Sequence, residues 1–329
     1  MAINVYRMDL SNHREREEAI SFLQANHLQP EPLDTAFALR DTNQRLIGFG
    51  GRAKDVLKCF AFDPVYRGQA LLDPLISELI TDAFTNGIED LLIYTRIEYR
   101  DLFSHFRFTE VAHTDTVVLL HRGTHTPQAA MDALLLAIQP EETVGAIVMN
   151  ANPFTLGHRA LVDTAAKQVE RLLVFVVERD ASQLPFADRI RLVQEGVADL
   201  PHVSVVPSTR YIISAATFPS YFLKEKERGN AEHAKLDAAI FARYFVPRYH
   251  IGKRFVGEEP ADPTTALYNA ALANILPPAC EVIVVPRKKS GHAPISASTV
   301  RALVKARDWK AVRELVPDTS YRYLRDRYD

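Results

Sequence analysis

Thr155, Leu156, Gly157 and His158 follow the apolar run Val144–Met149 and the turn Asn150-Ala151-Asn152-Pro153-Phe154. A hydroxyl, a glycine and an imidazole at the mouth of a helix suit an anion. Gly157 has no Cβ to clash, so the backbone can approach a ligand closely. The free N–H groups and dipole of a helix start already favour negative charge. The His158 imidazole can add a donor to a phosphate, and a cationic form would stabilise charge building there. The plainer alternative is that Thr155 or Asn152 only caps a helix and His158 is a surface histidine.

A second group lies at 293–304, APISASTVRALV, after the strand-like CEVIVVP and the basic loop 287–289. Ser296 and Ser298 are expected at a helix N-terminus, where hydroxyls and N–H groups bind phosphate oxygens. Arg301, three residues after Ser298, shares its face one turn along. A guanidinium there can pair bidentately with a polyphosphate. Taken alone, this too reads as a capped helix with a surface arginine.

These residues need strands and helices to bring them together. From Val144 the chain alternates the apolar strands VGAIVM, RLLVFVV, VSVVP and CEVIVVP with the helical stretches LGHRALVDTAAKQVE, FADRIRLVQEGVADL, 231–245 and 264–275. Apolar strands alternating with helices indicate a parallel sheet covered on both faces. In such an α/β, doubly wound sheet, ligands gather beyond the carboxyl ends of the strands, where the first group falls. Before residue 123 the pattern is mixed: strands TAFALRD, RLIGFGGRA and KCFAFD, the helix LLDPLISELITDAFTNG ending on Asn86-Gly87, the strand DLLIYT, then a short helix and a hairpin. The expected organisation is one domain over 1–122, a linker and connecting helix over 123–142, and a second domain over 143–329.

The chain has 329 residues, 47% hydrophobic and 24% charged, a globular balance that argues against disorder. Its net charge of -2 offers no global field for nucleic acid. Cys59 and Cys280, its two cysteines, form no CxxC or Cys/His pattern, so neither a disulfide framework nor a metal site is expected. The first residues lack a signal-peptide core and no stretch is apolar enough to span a membrane, so a soluble cytoplasmic protein is expected.

Together, T-x-G-H after the first strand and I-S-x-S-x-x-R after the last resemble the paired signatures of the nucleotidylyltransferase superfamily. Thr155, Gly157, His158, Ser296, Ser298 and Arg301 match position by position, with Ser298 where threonine is commoner and Asn152 where aspartate is common. The blocks MNANPFTLGHRALV, YIISAATFPSYFLK, LDAAIFARYFVP, RFVGEEPADPTTALYN and ISASTVRALV resemble those of the citrate lyase ligase family, over nearly the whole chain. DPVYRGQALLDPLISELI with LFSHFRFTEVA is similar to GNAT acetyltransferases, which implies a GNAT-like α+β domain before a Rossmann-like nucleotidylyltransferase domain. Ala70 and Leu72 stand where the acyl-CoA loop following Arg67 usually carries glycines, which argues against acetyl transfer there.

The resemblance implies an ATP-dependent ligase. It would adenylate acetate and acetylate the thiol of the phosphoribosyl-dephospho-CoA group on the citrate lyase acyl-carrier subunit, releasing AMP and pyrophosphate. It implies His158 and Arg301 as catalytic residues. It implies Asn150, Asn152, Phe154, Thr155, Gly157, His158, Gly257, Glu258, Ser296, Ser298 and Arg301 as ATP-binding, with Mg2+ accompanying the phosphates. Tyr211, Ser214 and Tyr221 are candidates for the acetate pocket because their block is peculiar to the family. The alternative is a small-molecule adenylyltransferase of the pantetheine-phosphate or nicotinamide-nucleotide type. An acyltransferase and a regulatory module without chemistry are weaker rivals.

Overall fold

A computed structural model describes residues 4–66, 71–134, 136, 138–139, 141–178, 182–212, 218–223, 226–258, 263–290 and 293–329. The loop at 67–70, Ser214 and residues 259–260 of the GEEP block lie outside the described residues. The chain divides into two compact units, one of Met1–Ala129 with Pro219–Glu232 and one of Ala130–Phe218 with His233–Asp329.

The first unit contains β1 (Asn4–Met8), α1 (His13–Ala25), β2 (Thr35–Arg40), β3 (Leu46–Ala53), β4 (Val56–Phe62), α2 (Leu72–Thr85), β5 (Leu91–Arg96), β6 (Thr109–His113) and β7 (Val117–Arg122). Its strands form one sheet in the order β1-β2-β3-β4-β5-β7-β6. α2 buries Leu75, Ile76 and Leu79 against Leu57, Ile93 and Leu120 of that sheet. It ends at Asn86 with Gly87 at φ 73°, the left-handed stop expected of Asn-Gly.

The parallel strands β4 and β5 pair only at Val56–Leu92 and Leu57–Ile93. Beyond that, Cys59 turns to φ 61° and the two ladders part. Tyr221, from the returning segment, fills the gap. Its hydroxyl donates to the Tyr94 carbonyl at 3.3 Å and accepts from the Cys59 N–H. Its own carbonyl accepts from Gln29 N–H at 2.8 Å. Backbone groups orphaned by the splay thus find partners on one side chain. Residues 219–232, expected within the second domain, pack with the first unit.

α3 (Pro127–Asp132) leads on, and it is shorter than expected. The connecting helix expected within 123–142 stops at Asp132, and the described positions among 133–142 are not helical.

The chain continues as β8 (Val144–Met149), α4 (Leu156–Ala166), β9 (Arg171–Val176), α5 (Phe186–Gly196), β10 (Val203–Pro207), α6 (Lys226–Ile240), α7 (Val246–Arg248), β11 (Ile251–Gly257), α8 (Pro263–Ile275) and β12 (Glu281–Val285), all in the second unit except α6 up to Glu232. The short hairpin β13 (Lys289–Ser290) and β14 (Ala293–Pro294) leads to α9 (Ala297–Lys305), α10 (Trp309–Arg313) and α11 (Asp318–Tyr328). A five-residue π-helical turn, Phe241–Phe245, joins α6 to α7.

The five long strands lie in the order β10-β9-β8-β11-β12 and pair in parallel throughout. This is the doubly wound α/β sheet expected from the alternation. Side chains of alternate parity bury on opposite faces. Ile147, Met149 and Phe255 join Val162 and Leu192 of α4 and α5 in one core. Phe175 lies in a cluster of rings with Phe241, Phe245 and Tyr249. The strand order reverses between β8 and β11, which opens a crevice at their carboxyl ends.

Candidate active site

A cleft of about 380 Å³ opens at that reversal. Asn150, Thr155, Gly157, His158, Gly257 and Ser296 line it, so six of the sequence-selected residues come together there. With them are Arg254, Tyr268, Asn269 and Arg287. No described lining residue is an aspartate or glutamate.

The turn after β8 leads directly into the capped start of α4. Ala151 takes φ 52°, the Asn152–Pro153 peptide is cis, and Thr155 caps α4. Thr155 Oγ1 accepts from His158 N–H at 3.3 Å, while Thr155 N–H donates to His158 Nδ1 at 3.1 Å. A backbone N–H can only donate, so Nδ1 is an acceptor and carries no proton. The neutral ring therefore holds its proton on Nε2. Burial, reinforced by the Arg287 charge, pushes the His158 pKa down to about 4. Of the two forms the sequence left open, a donor and a cation, the free protein holds the neutral N–H donor.

Phe154 is completely buried and stacks beneath the His158 ring, centroids 5.8 Å apart. It supports the imidazole from the core and does not line the cleft. A Cβ at Gly196 would lie 2.5 Å from the Phe154 ring, so α5 needs glycine where it passes this phenyl group.

Gly157 has a reason other than a ligand's approach. A Cβ there would stand 3.0 Å from the Ile295 carbonyl oxygen, so the glycine lets α4 touch the segment that starts α9. The two signature groups meet at this contact. Ser296 caps α9 by accepting from Thr299 N–H at 3.1 Å, and its hydroxyl lies 2.9 Å from that of Ser298. Arg301 Nη1 donates to the Asn152 carbonyl at 2.6 Å, which ties α9 to the turn after β8. Arg301, Ser298, Asn152 and Phe154 stand around the cleft without lining it.

Asn152 accepts Leu184 N–H through its amide oxygen at 3.3 Å, so the position serves as a hydrogen-bond acceptor that asparagine supplies without charge. At β11, a Cβ on Gly257 would meet nothing within 4 Å, and Asn269 Nδ2 donates to the Gly257 carbonyl at 3.1 Å. Glu258 is exposed and outside the lining, its N–H bound to the Val285 carbonyl at 2.8 Å. Tyr211 is buried away from the cleft, and Tyr221 belongs to the first unit.

Two arginines escaped sequence reasoning. Arg189, 1% exposed, donates from Nη1 to the Asn150 carbonyl at 2.7 Å and to Asn150 Oδ1 at 2.8 Å. Its Nε donates to the Leu184 carbonyl at 3.2 Å, so it ties the turn after β8 to the segment that leads into α5. Arg254 is 1% exposed on β11 and lines the cleft floor. The sequence signals for it were a charge in the strand IGKRFVG and its place at the head of the block RFVGEEPADPTTALYN.

These donors and cations, set at two helix starts beside a strand-order reversal, suit negative charge chemically. A family profile described as "Citrate lyase ligase C-terminal domain" matches residues 144–324. The chain belongs to the citrate lyase ligase family. It is 38% identical over 331 residues to "[Citrate [pro-3S]-lyase] ligase" of Klebsiella pneumoniae, covering 98% of this chain and 97% of that protein. It is 36% identical over 327 residues to the protein of the same name from Escherichia coli strain K12, covering 97% and 93%. A crystal structure of an acetyltransferase of the GNAT family from Staphylococcus aureus Mu50 aligns over 37% of this chain and 99% of that chain, with TM-score 0.31 and 17% identity. The two citrate lyase ligase relatives cover both units of the chain. No helix among the described residues is long and apolar enough to cross a membrane.

Proposed function

We propose that this chain uses ATP to adenylate acetate and then acetylates the thiol of the phosphoribosyl-dephospho-CoA group on the acyl-carrier subunit of citrate lyase, which activates the lyase. One observation carries the reading within this structure: His158, Thr155 and Ser296 converge on one cleft at the strand-order reversal. A small-molecule adenylyltransferase is not favoured, because the named ligases align over both units.

In the first step an acetate oxygen attacks the α-phosphorus. The bond from that phosphorus to the leaving oxygen breaks, and its electron pair departs with pyrophosphate. In the second step the thiol sulfur, having given up its proton, attacks the acetyl carbon, and AMP leaves with the C–O electron pair. The protein's task in adenylyl transfer is alignment and stabilisation of phosphate charge. His158 Nε2–H points this role at the α-phosphate, held in register by Nδ1 and by Phe154 beneath it. The start of α4 and the Thr155 hydroxyl take neighbouring oxygens. Ser296, Ser298 and Arg301 take the phosphates that leave, once Arg301 exchanges the Asn152 carbonyl for an anion. Asn150, Asn152, Gly257 and Glu258 shape the nucleotide end.

The cleft's donors fit a triphosphate and do not fit a bare divalent cation, since no described lining residue is a carboxylate. Among the described residues no three His, Cys, Asp or Glu side chains gather as a metal cluster. Magnesium therefore enters on the phosphates of ATP, where it neutralises charge. Its compartment in this reading is the cytoplasm.

The deciding experiment is acetate-dependent exchange of labelled pyrophosphate into ATP, alone and with deacetylated carrier. Exchange in either case supports the reading. Absence of exchange in both sinks it.

A further inference from the structure

Arg254 lies three residues before the end of β11, roughly 10 Å below the strand terminus at 3.3 Å per residue. It pairs across the sheet with Ala146 of β8 and Val282 of β12. Its neighbour Phe255 turns into the core beneath α4 and α5, so Arg254 takes the opposite face. There its guanidinium lies over the Phe241 ring, 4.7 Å from the centroid. It donates to the Tyr268 hydroxyl, which donates in turn to Asp237 Oδ2 at 2.6 Å. Asp237 is itself 1% exposed. The arginine is therefore held on two sides, yet its Nε and Nη1 find no acceptor among the described residues.

A buried cation with unsatisfied N–H groups calls for an explanation, because buried donors are nearly always paired. The residue also lines the cleft, and so do the apolar side chains Val148 and Val256 nearer the strand ends. A pocket with a positive end and apolar sides, set below the helix starts that suit phosphates, is shaped for a small organic anion.

We propose that Arg254 receives the carboxylate of the acid substrate, a short-chain monocarboxylate, while Val148 and Val256 face its alkyl end. This deepens the ligase reading and rests on it. Tyr268 and Asp237 are positioning residues that keep the guanidinium aimed at the cleft. The bound carboxylate keeps its charge partly neutralised until its free oxygen meets the α-phosphorus.

The test uses the full chain and the carrier. Wild-type protein is first assayed for acetate-dependent pyrophosphate exchange. Arg254→Met and Arg254→Lys are then compared at varied acetate and varied ATP, with melting temperatures recorded. The proposal expects Arg254→Met to raise the acetate KM at least tenfold and the ATP KM less than twofold, with Arg254→Lys between. An unchanged acetate KM, or equal rises for both substrates, overturns it. Should Arg254→Met fail to fold, Arg254→Lys decides by the same split. Should wild-type protein show no exchange at all, the ligase reading fails separately. Line broadening of [13C]acetate by wild-type protein and by Arg254→Lys then decides alone. Broadening lost in the variant supports the site, and broadening that is equal in both or absent from wild type overturns it.

Discussion

Replacing His158 tests the neutral-donor assignment most directly. The Thr155 N–H bond at 3.1 Å leaves Nδ1 without a proton, and burial holds the ring's pKa near 4 against an ordinary 6.5. The depressed value means that the unfolded chain binds a proton at higher pH than the folded chain. Stability from this group is therefore complete above pH 6.5 and is lost as pH falls from 6.5 towards 4. Two and a half pH units correspond to about 3 kcal/mol, an upper limit because the side chain keeps some contact with solvent at the cleft. In the range from pH 6 to 8 His158 should contribute no limb to the rate profile. Long-range 1H–15N spectra should show Nε2 protonated and Nδ1 bare throughout that range. In His158→Ala, loss of one charge-stabilising donor should slow exchange by about 10²–10³. Leaving Thr155 N–H without its acceptor should lower the unfolding free energy by about 1–3 kcal/mol. His158→Asn, which can restore an acceptor near Nδ1, should recover stability more than rate. An imidazole titrating above pH 6, or a proton found on Nδ1, would refute the reasoning.

Gly157→Ala should force the Ile295 carbonyl away from α4, since its Cβ arrives at 3.0 Å; we expect a loss of about 1–3 kcal/mol in urea unfolding and a raised ATP KM. An unaltered ATP KM would separate this contact from nucleotide binding. Arg301→Ala should weaken ATP more than acetate, because Arg301 sits at the turn beside His158; equal changes in both Michaelis constants would count against its phosphate role. Arg189→Met strips acceptors at Asn150 and Leu184 of a buried donor, and should lower unfolding free energy by about 2–4 kcal/mol. A midpoint equal to wild type would show that water can replace the guanidinium.

The second unit was legible because parallel strands covered on both faces read as apolar runs, as Val144–Met149 and Arg171–Val176 do. The turn at 150–158 was legible because Asn, Pro, Gly and His are chemically specific at a helix start. Arg189 and Arg254 were not, because burial of an arginine depends on acceptors and rings brought from elsewhere in the chain. The charge of His158 was hidden for a related reason: it follows from a hydrogen bond to Nδ1 and from the distant Arg287. β1 and α1 escaped notice because each buries few side chains, β1 only Met8 and α1 only Ala19 and Leu23. The contribution of residues 219–232 to the first unit left no local signal, since pairing over such a distance has no periodicity.

Tyr221 seated between β4 and β5 bears on how this protein is made. A ribosome releases residue 129 well before Tyr221, and roughly a hundred residues separate the first part of the unit from the end of its second part. At 5–20 residues per second that is an interval of about 5–20 s. Throughout it, the nascent unit must wait with the Cys59 N–H and the Tyr94 carbonyl open to water or to another chain. The unit can close only after much of the second sheet has emerged, so its completion is tied to translation of the part that carries the cleft.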